Sequence, residues 1–442
     1  MCNKSFFIGA ILCLTMFPAI AQDFYVHSAT GKNTNDGSKG NPFKNIQKAI
    51  DAASDGATIY VAEGNYFGTL DKGNINVTKP VKILGGYSPD FATRDVLRYL
   101  TLVQPTPASN GTASGQGTMN IQVKKPGTEV VIDGLIFDRG NSIGYNPKGE
   151  GQPDGVESAM FQPIGTGGLG GADLKTPDVK TKQTALLYLE TITCNLTVRN
   201  CAFINSPYYG IIGTISGGAK ATLTNNVFVG NKYAAVEING GTPTAFADVN
   251  FSYNTVLFSW SRLKDMSDMG YGFRYGTRTN GFVTNNIIGL SVIAGLDRAR
   301  LDSDKNRESQ RKSAAENNVF FLNKQGDLTI PGGGKNMRIM ADQFDDVEQL
   351  TAVNGNKSLT DPAAFKGVIN AAYLAGFLNA SYKETTDYDP NSPANVFREA
   401  MGLNKQGTMQ SSATMFANRY PWRDALKLFG AMNGYGAQSI KN

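Results

Sequence analysis

Four stretches of the chain repeat one pattern of apolar and polar positions. They are Leu196–Phe203 (LTVRNCAF), Ala221–Phe228 (ATLTNNVF), Val249–Val256 (VNFSYNTV) and Gly281–Ile288 (GFVTNNII). Glu316–Phe320 (ENNVF) continues the series, and Val130–Phe137 (VVIDGLIF) is an earlier copy. Each alternates apolar and polar residues, turns, and then presents an apolar residue two positions after the turn. Alternation at period two puts one face of a strand inward. Aligning the copies brings Cys201, Asn226, Asn254, Asn286 and Asn318 to one position, at spacings of 25, 28, 32 and 32 residues, with Leu135 at the same place in the earlier copy. A period of this length holds three short strands and three turns, one coil of a parallel β-helix. An inward Asn at such a turn bonds backbone groups and the Asn of the next coil, so this column is expected to be structural. The predicted architecture is all-β: a right-handed parallel β-helix with an N-terminal capping helix and a helical C-terminal cap or tail.

The ends of a stack expose strand edges and need covers. Asn41-Pro42 is expected to open a helix that lines up Phe43, Ile46, Ile50 and Ala53, with Gly56 stopping it. At the far end Asp361-Pro362, Ser392-Pro393 and Tyr420-Pro421 look like helix starts, and the last aligns Trp422, Ala425, Leu426 and Phe429. Residues 1–21 read as an export signal: Lys4, an apolar run from Phe6 to Phe17, and a small-x-small site at Ala19-Ile20-Ala21. The expected organisation is then an opening motif with its capping helix over 22–57, coils over 58–345 and a helical tail over 346–442. Insertions are expected near 140–182, 259–270 and 297–315. The run is too short to span a bilayer, and no later segment reaches ~20 apolar residues.

Composition changes this little. Without Lys4 the balance is 41 basic against 37 acidic residues, net +4, which gives no basic footprint for nucleic acid. Fifty glycines suit a turn-rich repeat. Cys194 and Cys201 remain after the signal, and the sequence leaves open a disulfide or two buried thiols.

The stretch Phe24–Ser38, followed by Asn41–Ile50 and Gly64-Asn-Tyr66, resembles the opening of the pectin-lyase-like superfamily. More narrowly it is similar to secreted right-handed β-helix repeat proteins of bacterial cell surfaces, as is Val81–Tyr87 followed by Phe91 and Arg94-Asp95. The resemblance covers roughly residues 23 to 325. It implies the fold; lyases, hydrolases, epimerases and non-catalytic adhesins all share it.

Enzymes of that superfamily work on the outer face of one stacked strand, between long turns. Here a second strand begins eight residues after each repeat phenylalanine, at Ile211–Ile215 and Val236–Asn239, with Ala185–Glu190 before and Phe273–Tyr275 after. Its outward residues are Tyr188, Glu190, Ile212, Thr214, Glu237, Asn239 and Arg274. The insertions Gly140–Lys182 and Ser259–Met269 precede the first and last of these strands and are expected to wall one groove. Tyr208, Tyr209, Trp260, Arg262, Tyr271 and Arg278 complete the candidate binding set with Tyr188 and Glu190. Such a mixture stacks sugar rings and holds hydroxyls or carboxylates. Arg274, Lys264 and Glu237 are the catalytic candidates for a lyase acting on an acidic polysaccharide. Calcium is a possible cofactor, through Glu190, Glu237, Asp265 and Asp268. A hydrolase needs two flanking carboxylates, and Glu190 and Glu237 lie roughly 10 Å apart on the strand spacing, wide for the purpose. The alternative is a non-catalytic adhesin or structural surface protein. His27 is expected to pack in the cap. Asp302–Glu308 has a calcium-loop rhythm, but Arg307 stands where Gly is wanted, and the run Arg298–Arg311 is expected to be a solvated charged insertion.

Overall fold

The computed structural model describes residues 22–68, 74–105, 116–138, 184–206, 208–241, 245–260, 269–332, 335–382, 389–406 and 419–440. Among them the chain winds through three parallel sheets, one strand of each per coil, as a right-handed parallel β-helix. The first sheet runs from Phe24–Val26 to Ala352–Asn354, the second from Gly64–Phe67 to Lys357–Ser358, and the third from Ile75–Val77 to Lys335–Ile339. Within these sheets one pair is antiparallel, the hairpin of Gly326–Gly332 with Lys335–Ile339.

The predicted register holds. Leu196 pairs with Val130 and Ala221, and Ala221 with Val249. The apolar positions point into a continuous core in which Phe137, Phe203, Phe228, Phe251 and Phe273 stack with centroids 4.5–6.1 Å apart. Beside them runs the asparagine ladder. The backbone N–H groups of Cys201, Asn226, Asn254 and Asn286 each donate to the Oδ1 of the next coil's asparagine at 2.8–3.0 Å. Each Asn Nδ2 donates in turn to a strand carbonyl, from Val198 O under Asn226 to Val283 O under Asn318. Asn356 extends the ladder by one coil. The residue before each of these five ladder positions is left-handed: Asn200, Asn225, Asn285 and Asn317 have φ of 53–57°, and Tyr253 before Asn254 has 52°. Asn reaches that region more easily than other non-glycine residues, which explains the doubled asparagines.

Helix Ile46–Ala52 closes the N-terminal end through Ile46, Ala49 and Ile50. It starts later than Asn41-Pro42 predicts, because the Phe43 backbone is bonded to Tyr25 and His27 and bridges to Val26. His27 is buried nearby and its Nδ1 accepts from Ala29 N and Thr30 N. At the other end a 3-10 turn, Ala341–Asp346, sets Phe344 against Phe320.

The C-terminal segment instead folds back along the outside of the second sheet. Helices Ala371–Ser381, Pro393–Ala400 and Trp422–Ala425 build a second core there. Phe258 meets Tyr373, Phe377 and Tyr420 at 5.0–5.7 Å, and Asn205 exchanges two 2.8 Å bonds with the Tyr420 backbone. Ser392 and Asp361 cap the turns that follow them, as their Pro dipeptides predict. Cys194 and Cys201 are buried free thiols.

The run Arg298–Arg311 departs from expectation. Helix Lys305–Gln310 has no buried residue, yet Arg298, Asp302 and Arg311 are buried. Arg311 donates to the carbonyls of Thr279, Arg300, Tyr275 and Gly276, and Arg298 pairs with Glu308 at 2.6 Å. Turn carbonyls left over between two sheets need donors, and arginine's fork supplies several at once. Burial, with Arg298 beside it, pulls the Arg311 guanidinium down to about 10. Asp302 binds Arg307 through two bonds of 2.5 and 2.6 Å.

Candidate functional site

The third sheet carries the candidate face. Strand pairing puts Asn76, Asn120, Tyr188, Ile212, Glu237, Arg274, Asp297, Thr329 and Arg338 in one outward column. The segments 139–183 and 261–268, which hold most of the two predicted walls, both join the second sheet to the third, so they leave the coil at the same corner. Their own structure, with that of Arg262, Lys264, Asp265 and Asp268, lies outside the described residues.

At the middle of the column the side chains close into a polar cluster. Arg274 Nη1 lies 3.5 Å from Glu237 Oε2, and its Nε lies 2.8 Å from Asp297 Oδ2, without the direction of a hydrogen bond. Thr329 Oγ1 donates to Asp297 Oδ1 at 2.8 Å, and the guanidinium sits over the Tyr271 ring. Burial works against the charge on Arg274, but Glu237 and Asp297 outweigh it and raise its pKa above the ordinary value. Burial raises the Asp297 carboxyl, against the opposing pull of Arg274 and Thr329. Two carboxylates therefore bracket one guanidinium. Glu237 and Arg274 keep partial exposure (15% and 16% of their side chains), whereas Asp297 keeps 3%.

Aromatic residues flank the cluster at the corner. Tyr208 packs edge-on against Tyr209 and Tyr233 at 4.4 and 5.1 Å. Tyr209, Trp260 and Tyr271 are buried in the same apolar cluster as the C-terminal helices, and Trp260 Nε1 donates to Gly230 O. Burial pushes the Tyr209 phenol well above its usual range, helped by Glu237 and Tyr208 and opposed by Arg274. Tyr208 is raised for the same first reason, with Glu237 and Tyr188 adding to it. Tyr188 and Tyr208 are half-buried and Glu190 is exposed, bonded to Gln122 at 2.6 Å.

Not every candidate gathers here. Arg278 lies in the turn after the strand, left-handed at φ 59°, with its Nε 3.9 Å from Asp302. Glu190 lies at a register shift and joins a different column from Glu237. Among the described residues no three His, Cys, Asp or Glu side chains converge as a metal site. Asp297 and Thr329 were not among the sequence candidates. Their signal was the alternation of Ala294–Arg298 and Gly326–Ile330, strands of the same sheet one and two coils beyond Arg274.

The strand register defines a right-handed parallel β-helix with a polar, aromatic-flanked patch on its third sheet. Residues 29–121 match a family described as a protein of unknown function (DUF1565). No curated protein matches. Among solved structures the chain is similar to pectin methylesterase PemA from Erwinia chrysanthemi, with 12% identity, 76% of this chain and 89% of that one covered, and a TM-score of 0.35. It is similar also to a rhamnogalacturonan lyase, with 10% identity, coverage of 94% and 99%, and a TM-score of 0.29. A third is the lacto-N-biosidase of Eubacterium ramulus, with 9% identity, coverage of 76% and 67%, and a TM-score of 0.29. Among the described residues no helix is long and apolar enough to cross a membrane.

Proposed function

We propose that this is an exported β-helix protein that binds an extracellular polysaccharide on the outer face of its third sheet. The observation that carries this reading is the juxtaposition of half-buried Tyr188 and Tyr208 with the Glu237–Arg274 pair. Tyrosine supplies an apolar face with a polar tip for a sugar ring, and fixed carboxylates accept from its hydroxyls. In this reading Arg274 orients Glu237. A lyase that used Arg274 would need it as a carboxylate clamp or a base, and both of its flanks are occupied by carboxylates. The geometry therefore supports binding over cleavage by Arg274. An acidic chain is the expected ligand class.

The test is calorimetric titration of the full chain with alginate, pectate, chondroitin, heparin and neutral xylan, with ultraviolet absorbance followed in parallel. Binding to one of these, lost in the Tyr188→Ala/Tyr208→Ala variant at unchanged circular dichroism, supports the reading. Absence of binding to every chain refutes it. Growth of the absorbance of unsaturated products would show cleavage and overturn the assignment of Arg274.

A further inference from the structure

The polar cluster of the third sheet holds one guanidinium between two carboxylates, and the two carboxylates differ in kind. Glu237 reaches solvent beside Arg274, whereas Asp297 is buried and accepts a bond from Thr329 Oγ1 of the next coil on its Oδ1. Asp297 Oδ2 lies 2.8 Å from Arg274 Nε, yet that buried Nε makes no hydrogen bond among the described residues. Charge rather than direction therefore holds the pair. With all three side chains ionised, two carboxylates against one guanidinium leave an excess negative charge, which opposes any anionic group brought to the exposed edge of Arg274. A proton on Asp297 removes that excess, and Glu237 alone then matches the guanidinium.

We infer, on the reading of this face as a polysaccharide site, that Asp297 is its specificity-determining residue. Ionised, Asp297 keeps the Arg274 charge to itself and turns an acidic chain away; protonated, it leaves that charge to a carboxylate or sulfate of the chain. A face with two carboxylates of its own thereby takes an anionic ligand.

Burial is the main reason that the Asp297 carboxyl lies above its ordinary value; Glu237 adds to it, and Arg274, Thr329 and Arg311 oppose it. Tyr271 lies under the Arg274 guanidinium, Tyr209 is within reach of Glu237 and Arg274, and Tyr275 is within reach of Asp297 itself. Arg338 is exposed and paired across the hairpin from Thr329. Asp327, on the strand that carries Thr329, has its own donors in Asn323 Nδ2 and the Ala341 N–H. An anionic group beside Arg274 raises the proton affinity of Asp297 further, so by linkage the proton raises the affinity for that group equally. Affinity for an acidic chain should therefore rise as pH falls through the folded Asp297 value, by at most about tenfold per pH unit for one proton.

Calorimetric titration of the full chain with heparin, pectate and neutral xylan, each from mildly alkaline to mildly acidic pH, tests this. Heparin sulfates stay ionised over that range, which separates a proton on the protein from one on the ligand. Binding of the acidic chains should tighten toward acid with net proton uptake, read from the heats in two buffers of different ionisation enthalpy. Asp297→Asn keeps an acceptor for Thr329 and should bind at every pH as the acidified wild type does. Thr329→Val removes a bond that favours the ionised carboxyl and should move the transition to higher pH. Acidic-chain binding that ignores pH overturns the inference and leaves the polysaccharide site standing, and so does a pH dependence that Asp297→Asn retains. Binding of xylan alone also overturns the inference without touching the site. Refusal of all three chains at every pH, by wild type and Asp297→Asn alike, overturns both.

Discussion

Replacing Asn254 with Leu removes one rung of the buried ladder while nearly conserving volume. Asn254 Oδ1 accepts from Asn226 N and Asn226 Nδ2, each at 3.0 Å, and Asn254 Nδ2 donates to Leu223 O at 2.9 Å and to Asn286 Oδ1 at 3.2 Å. Some of these partners have a second bond: Asn226 Nδ2 keeps Val198 O, and Asn286 Oδ1 keeps Asn254 N. The Asn226 N–H and the Leu223 carbonyl lose their side-chain partner at a site that is fully buried. Each unsatisfied group costs about 1–3 kcal/mol, while the leucine regains about 1–2 kcal/mol of apolar burial. The net loss should be about 2–3 kcal/mol. The control is Asn250→Leu on the same coil, a half-buried outward position, where the change should stay within about 0.5 kcal/mol. Urea denaturation followed by circular dichroism compares the two midpoints directly. The comparison is made between variants because a solenoid need not unfold in one step. Equal midpoints for the two variants would refute the claim that the ladder stabilises the coil.

Three other outcomes are expected. Burial pushes the Cys194 thiol up to about 11 and the Cys201 thiol up to about 12. Alkylation near neutral pH should therefore modify neither in the native protein and both in urea, as read by mass spectrometry. The same shifts favour folding below the ordinary thiol value of about 8.5, and this contribution should be lost progressively as pH rises from there through the folded values. Asn205→Gly keeps the left-handed backbone (φ 60°) but deletes both bonds to Tyr420, so residues 419–440 should exchange their amides faster while the coils do not. Unchanged protection of that segment would show that apolar packing alone holds the tail.

The repeat was legible because it is local. Alternation over Leu196–Phe203 and its copies sets which side chains point inward, and the equal place of Asn226, Asn254 and Asn286 follows from stacking equal coils. The outward set Tyr188, Glu237 and Arg274 followed from the same period. What the chain by itself did not decide is whom those outward residues meet. Arg274 looks free in sequence; the parallel register brings Asp297, from the next coil, against its Nε. Trp260 and Tyr271 look like groove walls, but the C-terminal helices, distant in sequence, help enclose the apolar cluster that holds them. Arg298 and Arg311 read as solvent-facing charges until the turn carbonyls of Tyr275, Gly276 and Thr279 are placed around Arg311. Period and turn chemistry are properties of neighbours along the chain. Burial and pairing on an outer face depend on what is laid over it, and here that is tertiary structure.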